Sequence, residues 1–170
     1  MQFFPIDQFA DVMAANSEFA EGFQHSELTG TALKGLAIVT CMDSRISPLA
    51  AVGMQAGDAK ILRNAGARVT DDVLRTLVLA SYLLGVVRVL VMPHTDCRMA
   101  TADEVSIHTT IRDQFDVDTT SLEFHTVSNQ REALTEDVAR IRAYPLLHKG
   151  VSVAGAIYNV STGKIEPVDC

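Results

Sequence analysis

The chain has no tryptophan, and only 6% of its 170 residues are aromatic, so its interior has to be built from aliphatic side chains. No stretch of about 18 apolar residues occurs, and nothing in the sequence reads as a membrane span. There is no block of lysine or arginine. With a net charge of −7, this argues against nucleic acid or an anionic membrane as the main partner. The opening Met1-Gln2-Phe3-Phe4-Pro5 lacks the basic start and apolar run of a signal peptide, so a cytoplasmic, reducing location is expected. Three cysteines make a poor disulfide framework and a better metal or catalytic set. Low-complexity tracts, long linkers and repeats are also missing. Residues 1–170 therefore read as one domain, with residues 1–30 as an N-terminal helical arm. A chain of this size buries about 70% of its unfolded surface.

What is present alternates between helical and strand patterns. Residues 6–24 place Ile6, Phe9, Ala10, Met13 and Phe19 near one helical face. The polar stretch His25 to Gly30 separates this helix from the rest, so it packs either on a neighbouring subunit or on its own domain. Leu36-Ala37-Ile38-Val39-Thr40 is a short, β-branched apolar run and predicts a buried strand. Lys60 to Arg63 predicts a weaker second strand, Val86 to Met92 a third and Val151 to Tyr158 a fourth. A turn at Ser161 to Lys164 leads to a short edge strand, Ile165 to Val168. One helix is expected to open at Thr70 as N-cap, to carry Asp71 and Asp72 at its positive end and to stop at Gly85. It is apolar over much of its circumference and is expected to be largely buried. A second, Asn129 to Tyr144, turns Leu134, Val138 and Ile141 inward and ends at Pro145. The expected fold is α/β: a mostly parallel sheet of about four strands plus an antiparallel edge strand, flanked by helices.

Ligand sites in such sheets lie beyond the carboxyl ends of the strands. Cys41-Met42-Asp43-Ser44-Arg45 follows the first strand, and His94-Thr95-Asp96-Cys97 follows the third. Cys41, His94 and Cys97 offer two thiolates and one imidazole, the ligand set of a tetrahedral zinc site with one position left over; the alternative is that the cysteines are small buried apolar residues. Asp43 could fill that position as a fourth ligand. It could instead release it and pair with Arg45 through a bidentate bond, opening the site to water. A closed structural zinc would want a fourth cysteine or histidine, and the chain offers none with obvious spacing. Cys170, at the last position, reads as a frayed bystander.

The segments Cys41-Met42-Asp43-Ser44-Arg45, Arg63-Asn64-Ala65-Gly66-Ala67, Ser81-Tyr82-Leu83-Leu84-Gly85 and His94-x-x-Cys97 resemble, in order and spacing, the signature of the β-class carbonic anhydrases, compact type. The resemblance covers roughly residues 30–168. It implies one zinc ion per chain, held by Cys41, His94 and Cys97, with Asp43 and Arg45 as the catalytic dyad that gates the fourth position. The implied reaction is reversible hydration of carbon dioxide to bicarbonate and a proton by attack of zinc-bound hydroxide. Gly66 is expected at the substrate pocket, where a missing side chain lets backbone approach a small ligand. Relatives on the same scaffold hydrolyse carbonyl sulfide or carbon disulfide, and the zinc motif does not separate these substrates. The resemblance also implies a homodimer or an assembly of dimers with the N-terminal helix reaching across; a mean hydropathy of +0.17 is compatible with a buried interface.

One departure stands out. The residue after the second cysteine ligand is commonly glycine in that family, and here it is Arg98, followed by Met99. Arg98 either alters the charge and access of the pocket or points to solvent. Asp96 reads as solvent-facing. His25, His108, His125 and His148 lack nearby cysteines and read as surface or loop residues, any of which could carry protons.

Overall fold

The computed structural model describes residues 4–170. The start of the 1–30 arm and of the leader reading, Met1 to Phe3, lies outside them. Five strands form one sheet: β1 (Leu36–Cys41), β2 (Ala59–Asn64), β3 (Arg88–Met92), β4 (Ser152–Tyr158) and β5 (Ile165–Val168), in the order β2-β1-β3-β4-β5. The first three pairings are parallel and β4–β5 is antiparallel, as expected from the sequence. Every residue of β1 is buried, because two neighbours close its edges and packed layers close its faces. Pro167 is tolerated in β5 because that strand lies at the sheet edge.

Side chains alternate between two layers. Ala37, Val39, Val89, Val91 and Val153 face helices α3 (Asp71–Leu83) and α6 (Gln130–Arg142). These helices present Leu74 and Leu77, and Leu134, Val138 and Ile141, at i, i+3, i+4 and i+7 spacings. On the opposite face Leu36, Ile38 and Met92 pack with Ile46 and Ala67, and this second layer also contains Cys41 and Cys97. It is covered by one-turn helices, α2 (Pro48–Ala51) and α4 (Arg98–Thr101), and by connecting loops.

Several expectations change. Helix α3 is two-faced: Val73, Leu74, Leu77 and Ala80 are buried, whereas Leu79, Tyr82 and Leu83 are exposed. Thr70 occupies the N-cap position but its side chain accepts no capping bond. Strand β3 starts only at Arg88: ahead of it, the Val86 amide donates to the Ala80 carbonyl in α3 and the Val87 amide to the Gly35 carbonyl just before β1. The N-terminal pattern divides into a 3₁₀ turn (Ile6–Phe9) and α1 (Ala10–Glu21), and α1 buries none of its residues. Helix α5 (Glu104–Phe115) has no counterpart in the sequence reading, because its face is mostly polar and no residue of it is fully buried. Its one legible signal is Asp103, the N-cap, which accepts from the Ser106 amide at 2.7 Å.

Cys170 is not frayed. Its main-chain oxygen accepts from Arg142 Nη1 at 2.7 Å, and its sulfur packs so closely over Gly155 that a Cβ there would lie 2.8 Å away. The antiparallel turn onto β5 holds the chain end against the sheet. No helix among the described residues is long and apolar enough to cross a membrane.

Leu77 is fully buried between α3 and the sheet. Leu77→Ala is expected to lower unfolding stability by about 2–5 kcal/mol, read from the urea midpoint at constant slope. An unshifted midpoint would show that this layer does not carry the fold.

Candidate metal centre

The register of the sheet creates the site. Thr40 pairs with Met92 across β1 and β3, so the chain segments leaving the two strands start level with each other. Thr40 Oγ1 donates to the Met92 carbonyl at 2.7 Å and locks this end of the pairing. Cys41 follows immediately on one side and His94 two residues on from Met92 on the other. His94 bridges in parallel to Tyr158, while Gln130 Nε2 donates to its carbonyl at 2.8 Å. Beyond it the chain turns at Asp96, which holds a φ of 56°, and Cys97 then caps α4. The two motifs therefore meet at the carboxyl edge of the sheet, where their positions after the first and third strands place them.

The ligand atoms of Cys41, His94 and Cys97 lie within 4.8 Å of one another, and all three residues are buried. His94 Nδ1 contacts the Thr95 carbonyl at 2.8 Å, so it carries the proton and leaves the Nε2 lone pair free. Nε2 is the buried side-chain polar atom without a hydrogen-bond partner among the described residues. A buried acceptor beside two thiols is costly unless something electrophilic sits there, and this donor set fits a metal ion. The two thiols shift each other in opposite directions. The adjacent Cys97 thiol favours thiolate at Cys41 and outweighs the opposing effect of burial, so Cys41 is held well below the ordinary thiol range. His94 and the main-chain amides of Gly66 and Asp43 act in the same direction. Cys97 is pushed above the ordinary thiol range by Cys41 and by burial. A cation bound between them would displace the thiol protons.

Beside this group stands a charged cluster. Arg45 Nε donates to Asp43 Oδ1 at 2.9 Å and Nη2 to Oδ2 at 2.7 Å, the bidentate arrangement, and the Arg45 amide adds a third bond to Oδ1. These side-chain and main-chain bonds hold the Asp43 carboxyl well below the usual carboxylate range. Asp43 Oδ2 lies 3.7 Å from His94 Nε2, at the edge of the ligand group. Arg63, which the sequence reading placed at the end of the second strand, donates from Nε to the Cys41 carbonyl and from Nη2 to the Asp43 carbonyl at 2.9 and 2.6 Å. It fixes the backbone between them. Asp96 is exposed, as expected, yet it is also bonded: Arg45 Nη1 donates to its Oδ2 at 2.7 Å. Neither contact has a local sequence signal, because both partners are remote in the chain.

A cleft of about 490 Å³ opens over the group, lined by Cys41, Asp43, Arg45, His94, Cys97 and Arg98 among others. Arg98 is exposed on its wall, and its side chain has no ion-pair or hydrogen-bond partner among the described residues. Gly66 lines a smaller cavity behind Cys97, while its neighbour Ala65 lines the cleft. The glycine is required there for two reasons: its φ is +78°, and a Cβ would stand 3.0 Å from that of Met99. His108 contacts Thr119 and Phe124, His125 pairs with Glu123 and His148 stacks edge-on with Tyr82; none joins the ligand group.

Fold and site together define an α/β protein with a preformed two-sulfur, one-nitrogen ligand group at the carboxyl edge of its sheet. A family model described as carbonic anhydrase matches residues 36–165, and the chain belongs to the carbonic anhydrase family, in its β class. It is 35% identical to beta-carbonic anhydrase 1 of Mycobacterium tuberculosis, over 93% of this chain and 96% of that protein. It is 31% identical to the carbon disulfide hydrolase of Saccharolobus solfataricus, over 75% and 74%. Among solved structures, the carbonic anhydrase of Streptococcus mutans superposes with a TM-score of 0.87 at 36% identity, covering 99% of this chain and all of that one. That of Glaciozyma antarctica superposes with a TM-score of 0.81 at 32% identity, covering 99% and 97%.

Cys41→Ser, His94→Ala and Cys97→Ser are each expected to cut bound metal by at least about tenfold relative to the parent protein, measured by elemental analysis after dialysis. Full retention in all three would remove the ligand assignment.

Proposed function

We propose that the chain is a zinc-dependent carbonic anhydrase that interconverts carbon dioxide and bicarbonate. The observation that carries this reading is the buried Cys41–His94–Cys97 group set beside the bidentate Asp43–Arg45 pair. Two thiolates and an imidazole in tetrahedral reach of one another suit zinc over harder cations, with Cys41, His94 and Cys97 as its ligands. When bound, zinc supplies a Lewis acid that brings the pKa of water from about 15.7 to about 7.

The side chains then divide the remaining work. Asp43, kept ionised by Arg45, accepts a hydrogen bond from the attacking oxygen and aims its lone pair at the carbon. Arg45 holds Asp43 in that orientation and neutralises its charge. Oδ2 of Asp43 already lies near the ligand group, so a short swing makes it the fourth ligand and closes the site. A neutral linear substrate needs no charged anchor on entry. The product is an anion, and Arg98 offers an uncommitted cation on the cleft wall for it. The likeness to carbonic anhydrases over nearly the whole of both chains, fuller than that to the carbon disulfide hydrolase, favours carbon dioxide over carbonyl sulfide or carbon disulfide as substrate.

The same reading covers the assembly. Ile6, Phe9, Val12, Met13 and Phe19 of the arm are exposed, and α1 buries nothing in its own chain. An apolar arm of this kind is best satisfied across a homodimer, with residues 1–170 as a single domain around it. Three free thiols suit a cytoplasmic compartment.

Stopped-flow assay of zinc-loaded protein is expected to show carbon dioxide hydration well above sulfide release from carbonyl sulfide or carbon disulfide. Asp43→Ala is expected to keep zinc and to lose about a hundredfold in kcat/KM. Faster sulfide release would transfer the assignment to the sulfur substrates, and undiminished turnover in Asp43→Ala would end the gating role. Deleting residues 1–24 is expected to convert a dimer to a monomer by light scattering; an unchanged mass would place the interface elsewhere.

A further inference from the structure

Arg45 serves more than one carboxylate. Its Nε and Nη2 engage both oxygens of Asp43, at 2.9 and 2.7 Å. Its Nη1 donates to Asp96 Oδ2 at 2.7 Å, and Nη2 also reaches the Asp96 carbonyl at 3.1 Å. The two aspartates use different donor hydrogens of the planar guanidinium, so they complement each other instead of competing. Asp96 lies between His94 and Cys97 and holds a φ of +56°, a left-handed conformation that few residues other than glycine, asparagine and aspartate adopt readily. The residue thus keeps a strained backbone and a carboxylate aimed back at the other motif.

Stability does not account for this arrangement. The Asp96 side chain is 75% exposed and that of Arg45 is 45% exposed, and ion pairs at such sites contribute little to folding. What the second contact does supply is position. Arginine is long and loses much rotamer freedom when fixed. Held by Asp43 alone, Arg45 would be released whenever Asp43 moved toward the ligand group. Held from the other side by Asp96, the guanidinium stays in place and remains a preformed partner for the returning carboxylate. The same contact ties the loop after β1 to the loop after β3, so the gate is referenced to the loop that carries His94 and Cys97.

We propose that Asp96 is a positioning residue of this site: it clamps Arg45 and thereby biases Asp43 toward the arginine-paired, open arrangement. This rests on the gated reading of Asp43 given above. Loss of the clamp leaves the ligands untouched and shifts Asp43 toward the closed arrangement.

The test uses full-length Asp96→Gly and Asp96→Asn. Glycine removes the carboxylate and tolerates the left-handed backbone, while asparagine keeps an acceptor for Nη1. Asp96→Gly is expected to lower kcat for carbon dioxide hydration by about tenfold with KM, metal content and melting temperature unchanged, and Asp96→Asn to recover part of that loss. In an Arg45→Lys background, where the fork is already gone, Asp96→Gly is expected to add less than about twofold. Cobalt-substituted Asp96→Gly is expected to show a visible spectrum displaced from that of the parent, reporting a changed fourth ligand. A kcat within twofold of the parent, an equal loss in the Arg45→Lys background, or a loss that only tracks metal content or melting temperature would overturn the proposal. Should the parent protein fail to hydrate carbon dioxide, the cobalt spectra still decide: identical spectra overturn the clamp, and displaced spectra support it independently of the substrate.

Discussion

The pairing of β1 with β3 is the constraint on which the rest of the site depends. These strands are distant in the chain and adjacent in the sheet, and their register sets Thr40 opposite Met92. A slip of one residue would turn every side chain of a strand to the other face and separate the two motifs. The buried bond from Thr40 Oγ1 to the Met92 carbonyl lies at the end where alignment matters most. Burial on both faces of β1 makes the register stiff, because its apolar side chains have no alternative surface to occupy. A chemical group needing placement to a fraction of an ångström therefore hangs from the best-packed part of the molecule.

Outward from that edge, order is maintained by arginines that bond to backbone. Arg63 holds the carbonyls of Cys41 and Asp43, and Arg45 reaches Asp43 and the loop around Asp96. Rigid guanidinium forks suit this task because several donors are fixed in one plane. The same loops leave His94 Nε2 without a partner and place two thiols against it. Among the described residues this atom is the buried side-chain nitrogen or oxygen left without a hydrogen-bond partner, and the ligand group accounts for that exception.

Much of this was legible from residues in order. β1 announced itself through an unbroken β-branched run, and β4 and α6 through apolar spacing that matched their burial. The Cys41, His94 and Cys97 group was legible because the three stand at or just beyond strand ends, in segments that together resemble a family signature. Elements that depend on context were less readable. Helix α5 carries too little apolar face to be seen, and α3 looked largely buried because an exposed Leu79 or Leu83 cannot be told from a buried leucine by composition. Cys170 looked like a loose end until β5 was seen to turn it onto Gly155.

By itself the sequence determined the class of the sheet, the Cys41, His94 and Cys97 candidates for metal ligands, the carboxylate–guanidinium pair and the family they resemble. Those features depend on residue type and near-neighbour spacing, which the linear chain contains. Only the tertiary structure decided that Arg45 bridges Asp43 and Asp96, that Arg63 anchors the turn after Cys41, that Gly66 sits behind the cleft and that Arg98 lines it unpaired. These are contacts between residues remote in sequence, or directions taken by long side chains. They are set by strand register and loop conformation, which no local pattern encodes.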